Sequence, residues 1–263
     1  MLSRFRAAGL VWPALLALPA LVLLVALGNW QLSRKAWKEA LIAQIEAGIS
    51  AEPVALDQGL KGEPCTTGAT CRFSEYTRVR VRGRFEHDRE RYFYAPDPGL
   101  GPGVHVYTPL ALEDGRRIVI NRGFVPDQLR PPATREAGQL RGIVEIVGLL
   151  RGPGSKAMFT PANDPARNAW YWRDIDAMAD CGPQATAGQA ERCRSFVRAF
   201  IDAEAVPATP GGWPRGGATN LQIYNRHLEY ALTWYGLAVA LVGILAAFAR
   251  GRLRKSGPAS AGR

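Results

Sequence analysis

The chain has 263 residues, of which 47% are hydrophobic and 21% charged, with a net charge of +10 at neutral pH. Such a composition excludes a disordered polyelectrolyte and is compatible with a packed core. The basic surplus does not call for nucleic acid: it is scattered through strand-like segments and gathered at the flanks of two apolar runs, where a surface facing anionic lipid accounts for it.

Residues 10–27 carry no charge and consist almost wholly of Leu, Val, Ala and Pro. A hydrocarbon layer of about 30 Å needs about 20 helical residues, so the run is long enough to span a bilayer, where Pro13 and Pro19 are tolerated. A cleaved signal peptide is the competing reading, because Arg4 and Arg6 precede the run and Ala26, Leu27 and Gly28 resemble a cleavage site. Against it, Trp30, Trp37, Leu41 and Ile45 follow at steps of seven, four and four, which keep one helical face and extend the helix beyond the span.

Within the central region the period is mostly two. Residues 76–85 alternate charges with Val79, Val81 and Phe85; residues 104–112, 116–121, 143–150 and 196–203 read as further strands, expected to be antiparallel. Glu113, Asp114 and Gly115 predict a hairpin turn between the second and third. Gly99, Gly101 and Gly103, beside Pro98 and Pro102, predict a loop, and residues 174–179 a short helix capped by Asp174. His87 falls in a charged turn and is expected to face solvent, whereas His105 is expected on a strand face. Asn121 to Pro126 offers a partner surface, but Asn-Arg-Gly after a strand reads more simply as a turn.

Cys65 and Cys71 form one local pair and Cys181 and Cys193 another, which suits two disulfides in an oxidising compartment; a single metal site is the alternative, and the spacings of six and twelve do not match common ligand pairs. Pro207 to Gly217 is read as a linker. Residues 230–249 form a second uncharged run, ended by Arg250, Arg252, Arg254 and Lys255 as a membrane stop would be. Short basic flanks at both ends place both termini in the cytoplasm, although Arg34, Lys35 and Lys38 weigh the other way. No nucleophile elbow, phosphate loop, zinc helix, dinucleotide fingerprint or Cys-x-x-Cys occurs, and nothing in the chain requires an enzyme.

The boundary motifs are more specific. Gly28-Asn29-Trp30-Gln31-Leu32 with Arg34, Trp37 and Lys38; Thr108-Pro109-Leu110; Asn121-Arg122-Gly123-Phe124-Val125-Pro126; Trp170-Tyr171-Trp172 with Asp174, Ala177 and Met178; and Asn225 through Leu237, reading Asn-Arg-His-Leu-Glu-Tyr-Ala-Leu-Thr-Trp-Tyr-Gly-Leu, occur in order along nearly the whole chain. Together they resemble the Surfeit locus protein 1 family, membrane proteins that assist assembly of cytochrome c oxidase. Phe124 and Arg226 depart from the family pattern, and the cysteine-bearing loops look like insertions. The first span begins so close to residue 1 that no transit peptide is expected, which points to a bacterial inner membrane.

The expected fold is an α+β membrane protein, two terminal transmembrane helices flanking a mainly antiparallel-β periplasmic domain. Its expected parts are a cytoplasmic N-terminus (1–9), transmembrane helix 1 (10–29), a periplasmic domain (30–224, with a helical extension at 30–48 and a linker at 207–217), transmembrane helix 2 (225–249) and a basic cytoplasmic tail (250–263). For bacterial members the resemblance implies heme a binding, with His227 as the iron ligand at the start of the second span. His227, Tyr230 and Trp234 fall at i, i+3 and i+7, so one helix face would present the ligand and two aromatic rings. An interfacial aromatic belt needing no cofactor is the plainer reading of the same residues, and Trp30 and Trp37 are read as interface anchors before heme contacts. Two functions follow. One is an assembly factor that receives heme a from heme a synthase and helps place it in cytochrome c oxidase subunit I; the other is a scaffold that stabilises an oxidase intermediate without heme. The expected partners are those two proteins and the lipid bilayer.

Overall fold

The computed structural model describes residues 10–62, 65, 71, 73–181, 186–217 and 225–255. They fall into two compact units, residues 10–43 with 225–255 and residues 44–217.

Helix α1 (Val11–Ser50) runs unbroken for 40 residues, rich in Leu and Ala, with Pro19 inside it. It passes through Gly28 without interruption, so the apolar run and the stripe through Ile45 are one element. Along that stripe Ile45 is 3% exposed, while Trp30 and Trp37 are 54% and 52% exposed.

The second unit begins with β1 (Val54–Ala55) and a single turn, α2 (Leu56–Gly59). Its strands follow as β2 (Arg78–Phe85), β3 (Arg91–Tyr94), β4 (Gly103–Leu112), β5 (Arg117–Pro126), β6 (Val144–Arg151), β7 (Ala169–Trp170) and β8 (Phe196–Ala203). Between β7 and β8 lie two short helices, α3 (Ile175–Met178) and α4 (Ala187–Ser195). Strands β2, β4, β5, β8 and β6 pair in that order, and β6 pairs with β2 again, so five strands close a barrel.

Four seams are antiparallel, but β5 and β8 are parallel. The expected antiparallel sheet is therefore corrected to a closed barrel with one parallel seam. Periodicity reports which face a side chain takes and says nothing about strand direction; between β5 and β8 the chain returns through β6, antiparallel to β8, so that β8 starts again from the end where β5 started, as a parallel pairing requires. This connectivity is that of a small Greek-key barrel of the OB type.

Alternation along the strands makes two cores. Ile118, Ile120, Val197, Ala199 and Ile201 enter the barrel with Val79, Val81, Phe85, Leu110 and Leu150. The opposite faces, Val119, Phe196 and Phe200, pack with Tyr107, Trp170, Ile175 and Met178. Burial on both faces is why β8 reads as an almost continuous apolar run.

The hairpin falls where the turn residues put it, with Gly115 at φ +87° and the Leu112 N–H donating to the Arg116 carbonyl at 2.8 Å. Asp174 caps α3 by accepting from the Ala177 N–H. Both disulfides form as expected, Cys65 with Cys71 and Cys181 with Cys193, with Cα separations of 4.8 and 5.3 Å. The turn read at Asn121 to Pro126 is corrected: β5 continues to Pro126. Gly123, at φ +108°, lets it do so, because a Cβ there would lie 1.8 Å from the Arg215 carbonyl oxygen. That close approach allows Phe124 and Arg215 to exchange two backbone hydrogen bonds of 2.9 Å, so part of the segment read as a linker adds to the barrel edge.

The exposed turn expected around His87 is also corrected. His87 lies 2.8 Å from the Leu140 carbonyl through Nε2, and the neighbouring Glu90 is 5% exposed. Glu90 accepts from Arg122, Arg135 and Gln139, and Asn168 Nδ2 donates to its carbonyl. Charged residues in a short segment read as solvent-facing until their cationic partners, which arrive from β5 and from residues 132–139, are known.

Helix α5 (His227–Lys255) completes the first unit. Helices α1 and α5 are each long and apolar enough to cross a membrane, with mean hydropathy of 2.3 and 2.0 over their most apolar stretches.

Candidate functional site

The first unit is a pair of antiparallel helices. Leu10, Pro13 and Ala17 share an apolar cleft with Leu245 and Phe248 at one end, and His227 and Tyr235 meet Gln31 and Asn29 at the other. At about 100° per residue, Ala231 and Ala238 mark the centre of the buried face of α5, where they are 1% and 6% exposed. His227 and Trp234 flank that centre on one side and Tyr235 on the other.

Two polar contacts fix this end of the pair. His227 Nδ1 lies 2.6 Å from Gln31 Oε1. The Tyr235 hydroxyl donates to Asn29 Oδ1 at 2.7 Å. Gly28 makes the second contact possible: a Cβ there would lie 2.6 Å from the Tyr235 ring, so only the bare backbone lets the ring cross α1. Since an amide oxygen only accepts, the imidazole donates to Gln31 through Nδ1–H, and that contact leaves Nε2 uncommitted. Among the described residues Nε2 has no hydrogen-bond partner. An imidazole held through one nitrogen and open at the other is the arrangement of an orienting contact behind a metal ligand.

The expected trio is distributed differently from a single aromatic face. His227 is half-buried and held; Trp234 is half-buried, with its indole N–H out of solvent and without a hydrogen-bond partner among the described residues. Tyr230 lies further round the helix and is 54% exposed. The residues that touch His227 and its neighbours, Gln31, Asn29, Gly28 and Tyr235, were on the page as motif letters. Their joint role was not legible, because nothing local says that residue 31 meets residue 227.

Comparison with known proteins places this helix pair in a family. A family model described as the SURF1 family matches residues 18–239, which include both the barrel and the His227 region. The chain belongs to the SURF1 family. A SURF1-like protein from Monosiga brevicollis is 41% identical over 244 residues, covering 89% of this chain and 85% of that protein. Surfeit locus protein 1 of Mus musculus is 38% identical over 229 residues, with 81% of this chain and 68% of the mouse protein aligned. The Homo sapiens protein of the same name is 37% identical over 230 residues, with 81% and 70% aligned. SURF1-family membership thus covers the residues of the helix-pair site as well as the barrel.

Proposed function

We propose that this chain is a membrane-anchored assembly factor for cytochrome c oxidase that binds heme a through His227 and assists its delivery to subunit I. The carrying observation is the His227 imidazole, fixed through Nδ1 by Gln31 and open at Nε2. Heme, if bound, would supply an iron centre that takes an imidazole nitrogen, and His227 would hold it. The residues present fit that group: an oriented imidazole, an indole N–H at Trp234 without an acceptor among the described residues, and an exposed Tyr230 ring beside them. Gln31 sets the tautomer and the ring plane, and the apolar helix surfaces exclude water from the macrocycle. A single held histidine, and not a pair of facing histidines, favours hand-over over permanent retention. Heme a synthase is the proposed donor and subunit I the acceptor.

The membrane placement belongs to the same reading. Both helices cross the bilayer, both termini lie on the cytoplasmic side, and the barrel stands on the opposite side. The basic cluster after α5 supports that orientation, and the two disulfides support an oxidising compartment, which in a bacterial inner membrane is the periplasm.

Cells lacking this protein, supplied with wild-type or His227→Ala chain, discriminate heme delivery from scaffolding. Oxidase purified from the His227→Ala cells should be poor in heme a relative to wild type, at equal levels of assembly factor. Full heme a content in the variant would favour the scaffold and overturn the assignment of His227.

A further inference from the structure

The barrel unit carries a cavity of its own. Its volume is about 340 Å³, and it opens beside β4 and β5 between Phe93 on one side and Ser155, Tyr171, Trp172 and Arg173 on the other. Phe93 belongs to the connection from β2 to β4 and the others to the connection from β6 to β8, the two loops that frame the ligand face of Greek-key barrels of this type. The volume falls in the lower part of the range for small-molecule sites.

Its floor is polar, and its charges are paired. Asn121 Nδ2 donates to Asp202 Oδ1 at 2.9 Å, and Arg151 pairs with Asp202 Oδ2 at 3.1 Å. Asp202 therefore brings no uncompensated charge to the cavity. His105 lines the cavity too, and burial pushes its imidazole below the ordinary value. Arg173 is different: among the described residues no carboxylate lies within 4.0 Å of its guanidinium. Its backbone is pinned by the Gly154 N–H donating to the Arg173 carbonyl at 2.9 Å, and its side chain lies against the buried Tyr107 hydroxyl. Trp172, beside it, has a buried indole N–H with no hydrogen-bond partner among the described residues.

We infer that this cavity binds a small carboxylate on a planar, aromatic or similarly flat body. Arg173 meets the carboxylate, with the Trp172 indole N–H as a further donor, while the Phe93 and Tyr171 rings cover the flat body. A guanidinium with no carboxylate partner among the described residues matches the single charge and fork geometry of a carboxylate. A phosphate would call for a second cation, and the nearest, Arg151, is committed to Asp202. The site consists of barrel residues alone and stands independently of the heme reading.

Saturation-transfer NMR on the full chain in detergent tests this with benzoate as probe and benzamide as its neutral counterpart. Benzoate should receive saturation from the wild-type protein and benzamide should not. Arg173→Gln should weaken benzoate binding at least about tenfold, the loss expected for a charge-assisted contact. Ser155→Trp, on an exposed stretch of the loop, should fill the cavity and abolish the signal, and it carries the test if Arg173→Gln fails to fold. Equal signals from benzoate and benzamide, or a benzoate signal unchanged in Ser155→Trp, would overturn the site. Displacement of benzoate by an equal concentration of inorganic phosphate would overturn the carboxylate assignment.

Discussion

Glu90 shows how much of the barrel unit rests on one side chain. Burial by itself would raise its carboxyl, but hydrogen bonds involving His87, Arg135 and Gln139 outweigh that and hold it at about 2, against an ordinary 4.5. The folded state therefore binds this proton less readily than the unfolded chain. The stability it brings is fully present above about pH 4.5 and is lost as the pH falls towards 2. Glu90→Gln leaves the Arg122 and Arg135 guanidiniums, with side chains 4% and 1% exposed, without their carboxylate. Denaturant titration at pH 7 should show a loss of about 3–5 kcal/mol, and the decline between pH 4.5 and 2 should flatten in the variant. Gly123→Ala is a backbone counterpart: the added carbon meets the Arg215 carbonyl at a φ of +108°. Limited proteolysis should then cut within residues 207–217 much faster than in wild type, because the Phe124–Arg215 bridge is lost. Neither role was readable from Asn121-Arg122-Gly123 alone. A Gly after Asn and Arg suggests a turn, and only the returning segment at Arg215 turns that glycine into a pairing position within a strand.

Among the elements, those with a clean period were legible and those defined by partners were not. Strands β2, β4, β6 and β8, the Glu113–Gly115 turn and the Asp174 cap follow from alternation and turn chemistry. Strand β3 was missed because Arg91-Tyr92-Phe93-Tyr94 has no alternation and pairs with β4 on one side and only two residues of β7 on the other. Helix α4 was missed although Thr186 and Gln189 make a capping box, since its low apolar content hid it. Both long helices were plain, yet their contact was not: Gln31 and His227 are 196 residues apart in sequence. Gly28→Val tests that contact. It should displace the Tyr235 ring, remove the Asn29 hydrogen bond and weaken the helix pair by about 1–3 kcal/mol, read from detergent-denaturation curves followed by circular dichroism. Gln31→Leu should leave the pair folded and free the imidazole to rotate, so that any heme-dependent spectrum shifts or weakens without a change in helix content.

For the whole molecule, a candidate span at each end and a disulfide-bearing barrel between them suit a factor that works at one membrane face. A reporter active only outside the cytoplasm, inserted between Ala157 and Met158 in the exposed β6–β8 loop, should be active, and the same reporter fused after Arg263 should be silent; the reverse pattern would overturn the proposed orientation. The central claim is that His227 holds heme, and its absorption spectrum tests that most directly. The chain purified from cells that make heme a should carry the Soret and visible bands of a histidine-ligated heme a, and His227→Ala should lose them. Because the His227 side chain is half-buried at a helix end, the variant should keep wild-type helix content, which circular dichroism on the same sample checks. A folded His227→Ala chain with undiminished bands, or a wild-type chain with none, would contradict it.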